Sequence, residues 1–233
     1  MVSSDTQHEP GTIEAKIVAI EDRAEDVRVL ALHPQAHFHW RAGQYALIHS
    51  DGFEPRPFSM AAAPSMDGNM CFHIRDTGGG LSRHLAKSVK CGDRVFIQGP
   101  FGEMIADHAT ARPVLMVAGG TGIAPMLALA YDIARRGLTE EGLTLIYGTR
   151  DAQTLYCARE LDQLRATGEL TLHLASGHIT PDRLIQDLAP DLANHAIYIS
   201  GPHAMMPPVY ATLRAQGANP AFIYTDIEIP EPA

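Results

Sequence analysis

Arginines, hydroxyl side chains and glycines recur in this chain at spacings suited to holding phosphate. Arg56-Pro57-Phe58-Ser59 forms one cluster, and about twenty residues on His73-Ile74-Arg75 runs through Asp76-Thr77 into Gly78-Gly79-Gly80-Leu81-Ser82. In each cluster a planar guanidinium offers paired donors matched to a diphosphate; Ser82 and the N–H groups opening a helix at Leu81 would hold the same group from the other side. A third candidate is Gly119-Gly120-Thr121-Gly122, which interrupts an apolar run beginning at Val114 and leads into a helix-compatible segment with Pro125 in its first turn. Residues without Cβ let the backbone turn with positive φ and bring N–H groups to a ligand, and the helix that follows adds orphan donors and a partial positive charge. The pattern is neither Gly-x-Gly-x-x-Gly nor a P-loop ending in Lys-Ser/Thr, so ATP chemistry is disfavoured. The plain alternatives are a tight strand-to-helix turn and salt-bridged loops that bind nothing.

The elements that must position these clusters change character halfway along. A chain of 233 residues has room for two modest domains. From Thr12 the apolar positions alternate through Ile13, Ala15, Ile17 and Ala19, break at Glu21-Asp22-Arg23, and resume at Val27, Val29 and Ala31, which predicts two antiparallel strands. Further short strands are expected at residues 43–49, 70–75 and 94–98, with one helix over 81–89. That pattern predicts a small antiparallel β-barrel over residues 12–108, behind a frayed tail at 1–11. After the polar segment 107–113, buried strands alternate with helices, with a last strand at 221–224, so residues 113–233 are expected to form an α/β doubly wound parallel sheet. Ligands of such sheets bind beyond the carboxyl ends of the strands, where this chain places Gly119–Gly122, Gly148-Thr149-Arg150 and Ser200-Gly201-Pro202.

Composition removes other classes. The net charge of −9 is shared by both halves, ten Lys/Arg against fourteen Asp/Glu through residue 111 and eight against thirteen after it, which argues against a nucleic-acid partner. No apolar run is long enough to span a bilayer and the first residues lack a signal peptide's pattern, so no membrane association and a cytoplasmic setting are expected. Three separated cysteines, Cys71, Cys91 and Cys157, cannot supply the four thiolates of an iron–sulfur cluster, so electron transfer within this chain would need another cofactor. His33, His37 and His39 would share a strand face, but no cysteine or carboxylate completes a ligand set, and no metal site is expected.

Arg56-Pro57-Phe58-Ser59 resembles the Arg-x-Tyr/Phe-Ser flavin motif of the ferredoxin-NADP reductase superfamily. Gly78-Gly79-Gly80-Leu81-Ser82 is similar to that family's second flavin-phosphate loop, and the segments at 119–122, 147–150 and 198–206 match its nicotinamide-side motifs in order. The resemblance covers nearly the whole chain and implies bound FAD and NADH or NADPH. By it, Arg56 holds the flavin pyrophosphate with Pro57 beside it, Phe58 packs along the flavin, and Ser59 hydrogen-bonds flavin N5. His73, Ile74 and Arg75 line the cofactor's phosphate side with Gly79, Gly80, Leu81 and Ser82. Gly120, Thr121 and Gly122 hold the nicotinamide dinucleotide diphosphate, Thr149 and Arg150 meet its adenosine end, and Ser200, Gly201 and Pro202 lie near the nicotinamide. Ser59, Ser200 and Tyr224 are the implied catalytic positions, with Asp226 a further candidate for the role of the family's C-terminal tail.

Ser200 departs from the family pattern, since plant-type and many bacterial members carry cysteine before Gly-Pro. The implied activity is hydride transfer from NAD(P)H to FAD and onward electron transfer to an iron–sulfur or haem protein, or to free flavin. The acidity of both halves disfavours an acidic ferredoxin, although Arg41, Arg56, Arg83, Lys87 and Lys90 offer a basic patch. A non-catalytic nucleotide-binding or regulatory subunit is the alternative, with Ser200 its best support. Arg150 would favour a 2′-phosphate while Asp151 opposes it, so use of both nicotinamide cofactors with a modest preference for NADH is expected.

Overall fold

The computed structural model describes residues 11–140, 142–150, 155–188 and 191–226. The expected N-terminal tail therefore lies outside the described residues except for Gly11, as do Asp151, the start of the helix expected from Ala152, and the chain beyond Asp226.

The first half of the chain forms β1 (Ile13–Ala24), β2 (Val27–Pro34), β3 (Tyr45–His49), β4 (Arg56–Ser59), β5 (Met70–Arg75), α1 (Gly80–Lys87) and β6 (Arg94–Phe101). The strands make one antiparallel sheet in the order β4-β3-β6-β1-β2-β5. Period-two alternation sends Ala15, Ile17, Ala46, Ile48, Phe72, Ile74, Val95 and Ile97 to one face, where they are essentially fully buried with Leu81 and Leu85 of α1. Each of the larger of these side chains contributes about 1.5–3 kcal/mol by leaving water. The sheet curls into a barrel-like shape without a closing ladder. Its edges meet at a single bridge, Met60 with Phe72, and one bond from the Ala61 N–H to the Cys71 carbonyl at 2.8 Å. Beta4 has only four residues and Pro57 has no N–H to donate, which keeps that edge short.

The β1–β2 hairpin departs from the expected pattern. Instead of breaking at Glu21-Asp22-Arg23, β1 continues to Ala24, with register shifts between Ile17 and Ala19 and between Asp22 and Ala24. The extra residue at each shift lies in β1, while along β2 the inward face runs through Leu30 and Leu32, which are fully buried, and Val29 and Ala31 are only half-buried. The polar tip of the hairpin thus projects past the core and reaches the second half of the molecule.

That half consists of β7 (Val114–Gly119), α2 (Ile123–Arg136), β8 (Leu143–Gly148), α3 (Ala158–Ala166), β9 (Leu170–Ala175), α4 (Pro181–Leu188), β10 (Ala196–Ser200), α5 (Met206–Ala215) and β11 (Ile223–Thr225). All its strand pairings are parallel, in the order β11-β10-β7-β8-β9. Helices cover both faces, and every residue of β7 and β10 is buried. From β7 the chain steps outward through β8 and β9, then returns to start β10 on the opposite side. The carboxyl ends of β7 and β10 consequently flank the topological switch point, where open α/β sheets bind ligands. The connection from β6 is tied down by Arg41 and Arg136, both paired with Asp107, and by the Tyr198 hydroxyl donating to the Ile105 carbonyl at 3.0 Å.

Candidate active site

A cleft of about 980 Å³ opens at the switch point and is walled by both sheets. The antiparallel sheet contributes Pro57, Phe58 and Ser59 from β4, His73 and Arg75 from β5, and the tip of the β1–β2 hairpin. The parallel sheet contributes the carboxyl ends of β7, β8 and β10: Gly119 to Gly122, Tyr147 to Arg150, and Ser200 to Pro202. Clusters far apart in sequence are therefore brought to one cavity. Arg56, Ile74, Gly79, Gly80, Leu81, Ser82 and Tyr224 do not line it.

The reasons differ from residue to residue. Arg56 is exposed at the start of β4. The Ile74 side chain is fully buried in the core of the first sheet, so only its backbone faces any ligand. Leu81 and Ser82, in the first turn of α1, are buried, whereas the glycines before them have open space where a Cβ would be. Gly78 and Gly80 adopt φ of 88° and 58°, and α1 has Gly79 at its N-cap, with no side-chain cap. Its first-turn N–H groups therefore lack a side-chain partner, a donor set suited to a phosphate. Tyr224 stacks on His108, ring centroids 4.0 Å apart, beside Tyr198 rather than in the cleft.

The glycine turn after β7 is shaped mainly by the protein itself. A Cβ on Gly119 would lie 2.6 Å from the Met205 sulfur, and one on Gly122 would lie 2.3 Å from the Ser200 carbonyl oxygen. Only Gly120, at φ 54°, requires the left-handed region. Its carbonyl accepts a hydrogen bond from the Tyr147 hydroxyl at 3.0 Å, while burial pushes the pKa of that phenol well above its ordinary value and keeps it protonated. The close packing of β7 on β10 sets the turn beside Ser200.

Two acidic residues complete the site. On the parallel-sheet wall, Ser200, 1% exposed, donates from Oγ to Asp226 Oδ2. Asp226 Oδ1 is buried with no hydrogen-bond partner among the described residues, and burial pushes this carboxyl up to about 6 against the pull of Ser200 and its own backbone N–H. At the opposite end, Asp26 in the β1–β2 turn places Oδ2 3.1 Å from Arg75 Nη1 and 3.9 Å from Arg150 Nη1. Arg75 itself reaches across the cleft, its Nη2 3.5 Å from the place a Cβ on Gly120 would occupy. The sequence gives no signal for Asp26, because its partners are contributed by β5 and by the loop after β8.

His73 also bridges the halves, with Nδ1 3.0 Å from the Tyr156 hydroxyl; burial lowers it to about 4 and keeps the ring neutral. Among the described residues no group of three or more His, Cys, Asp or Glu side chains is arranged to hold a metal ion. His37 and His39 hydrogen-bond each other, while His33 bonds Asn69 at 3.0 Å. No helix among the described residues is long and apolar enough to cross a membrane.

The model of the oxidoreductase FAD-binding domain matches residues 14–105, and that of the oxidoreductase NAD-binding domain matches residues 116–210. The ferredoxin–NAD(P)+ reductase component of the naphthalene 1,2-dioxygenase system of Pseudomonas putida is 32% identical over 234 residues, covering 96% of this chain and 71% of the relative. Reductase component 2 of the terephthalate 1,2-dioxygenase of Comamonas sp is 37% identical over 155 residues, 65% of this chain and 45% of that protein. Among solved structures, the ferredoxin NADP+ reductase from Neisseria gonorrhoeae with bound FAD and NADP superposes with a TM-score of 0.80 at 18% identity, covering 94% of this chain and 99% of that one.

Proposed function

Because the chain belongs to the ferredoxin-NADP reductase superfamily and carries its FAD-binding and NAD-binding domains, we propose that it moves a hydride from NAD(P)H to bound FAD and passes the electrons to an iron–sulfur or haem protein. On this reading residues 12–108 form the flavin domain and 113–233 the nicotinamide domain, working in the cytoplasm. The observation that carries it is the meeting of Ser59, at the end of β4, with Ser200, at the end of β10, in one cleft at the switch point. The residues present suit the cofactor: an uncapped helix start behind open glycines, an exposed arginine at the start of β4, and a cleft large enough for a dinucleotide.

Bound FAD accepts two electrons as a hydride and releases them singly, which is the chemistry the protein side chains lack. Arg56 and the first turn of α1 hold the pyrophosphate, Phe58 packs along the ring system, and the Ser59 hydroxyl holds a hydrogen bond at N5. On the other wall the turn at Gly120-Thr121-Gly122 fixes the nicotinamide dinucleotide diphosphate, while Thr149 and Arg150 take its adenosine end; Arg75, expected on the flavin's phosphate side, reaches across from β5 to that turn and so faces this diphosphate as well. Ser200 and Asp226 position the nicotinamide, with the serine hydroxyl oriented by the carboxyl group it bonds. That hydrogen bond gives the position usually held by cysteine a polar partner.

The acceptor follows the same line. The Pseudomonas putida relative is a ferredoxin–NAD(P)+ reductase component of an oxygenase system, and a one-electron acceptor of that chemistry is the partner we assign. Fluorescence titration of flavin-free protein with FAD tests the cofactor site. Arg56→Ala is expected to raise the Kd by ten- to a hundredfold, the roughly 1.5–3 kcal/mol of a hydrogen bond to a charged group. Unchanged affinity would remove Arg56 from the site, and absence of saturable FAD binding by the wild type would contradict the reading.

A further inference from the structure

Arg150 follows the carboxyl end of β8, the strand beside the glycine-turn strand β7. In nucleotide-binding sheets that place meets the adenosine ribose: an arginine there accommodates a 2′-phosphate, whereas a carboxylate bonds the 2′-hydroxyl and repels the phosphate. This chain presents both groups, but from different halves of the molecule. Arg150 belongs to the parallel sheet and is 86% exposed, while the acid facing it, Asp26, comes from the hairpin tip of the antiparallel sheet. A backbone bond from the Asp76 N–H to the Asp26 carbonyl at 2.8 Å ties that tip to the end of β5. The carboxylate is therefore held over the cleft by main-chain geometry as well as by its ion pair with Arg75.

We infer that Asp26 sets the choice of nicotinamide cofactor from the opposite wall, disfavouring the 2′-phosphate of NADPH. The inference rests on the proposed dinucleotide role of the cleft. The physical argument has two parts. Asp26 occupies the guanidinium that would otherwise pair with a 2′-phosphate, an exposed ion pair of small intrinsic strength. It also sets a negative charge within a few ångströms of a phosphomonoester carrying about −1.5 to −2 at neutral pH. Even at a high effective dielectric, that repulsion is of a size to change relative affinity about tenfold. Loss of Asp26 leaves Arg75 beside the diphosphate turn and releases Arg150 for the 2′-phosphate. The 2′-hydroxyl of NADH meets no such penalty.

Calorimetric titration of the FAD-loaded protein with NAD+ and with NADP+ tests the assignment. Asp26→Asn and Asp26→Ser are each expected to raise affinity for NADP+ relative to NAD+ by about five- to tenfold, Asp26→Glu to keep the wild-type ratio, and Arg150→Ala to cancel the gain when added to Asp26→Asn. An Asn or Ser variant whose ratio stays within about twofold of wild type overturns the inference while leaving the dinucleotide site standing. Failure of both nucleotides to bind wild type and variants overturns the dinucleotide reading, and the inference with it.

Discussion

At Asp226 a carboxyl group is held in surroundings that favour its neutral form, with one oxygen bonded to Ser200 and the other without a described partner. Its value of about 6 in the folded chain lies above the ordinary 3.8. Stability from the protonated form is thus fully present below pH 3.8 and is lost as pH rises through 6. Asp226→Asn is expected to stabilise the protein at pH 7 by about 1–3 kcal/mol and to change it little at pH 3.5, as read by urea denaturation at the two pH values. Equal effects at both pH values would contradict the buried-carboxyl account. Ser59, Arg75, Thr121, Arg150 and Ser200, each singled out by its motif, come together along one cleft. Asp26 was not legible, because an ion pair to Arg75 and Arg150 depends on how the two sheets face each other.

At the scale of elements, the β1–β2 hairpin and α3 hold the two halves together. Arg23 on β1 makes two hydrogen bonds to Glu160 on α3, at 2.9 and 3.3 Å, and pairs with Glu21 at 2.7 Å. The Arg23 and Glu160 side chains are only 17% and 23% exposed, so this pair is worth more than a surface ion pair and costs more when half of it is removed. Glu160→Gln is expected to cost about 1–2 kcal/mol in urea denaturation; a loss under about 0.3 kcal/mol would place the pair among inert surface contacts. His73 adds a pH dependence of opposite sign to that of Asp226. Its neutral form is favoured, so its contribution is full above pH 6.5 and is lost as pH falls towards 4. The two slopes oppose each other in the wild type, and Asp226→Asn should leave a stability that rises from pH 4 to 6.5.

The same elements show where sequence patterns stop. The parallel strands were readable because burial on both faces forces continuous apolar runs such as Val114–Gly119. The extension of β1 through Glu21-Asp22-Arg23 was hidden, because its polar side chains are held by ion pairs rather than by a core: Asp22 with Arg28 of β2, and Arg23 with Glu21 and with Glu160 of α3. Gly119 and Gly122 line the cleft, and their missing Cβ atoms also make room for Met205 and for the Ser200 backbone, a packing role the motif did not announce.

For the molecule as a whole, the two sheets are joined so that the ends of β4 and β10 face one cavity, and it is this joining that makes hydride transfer between two bound nucleotides geometrically sensible. The chain spans 71% of its Pseudomonas putida relative and 45% of its Comamonas relative, so those proteins contain further sequence beyond the two domains shared here. Both halves are acidic, which sets the electrostatics any protein acceptor must meet. The central claim, that Ser59 stands at the reacting end of a flavin reduced by NAD(P)H, is tested most directly by anaerobic rapid mixing of FAD-loaded protein with NADH while the flavin absorption is followed. The expected result is complete bleaching in the wild type and bleaching at least about tenfold slower in Ser59→Ala at saturating NADH, since orientation at the reacting atom is what that variant loses. A flavin that stays oxidised in the wild type with either NADH or NADPH would contradict the account, and equal rates in the two proteins would remove Ser59 from the reacting centre.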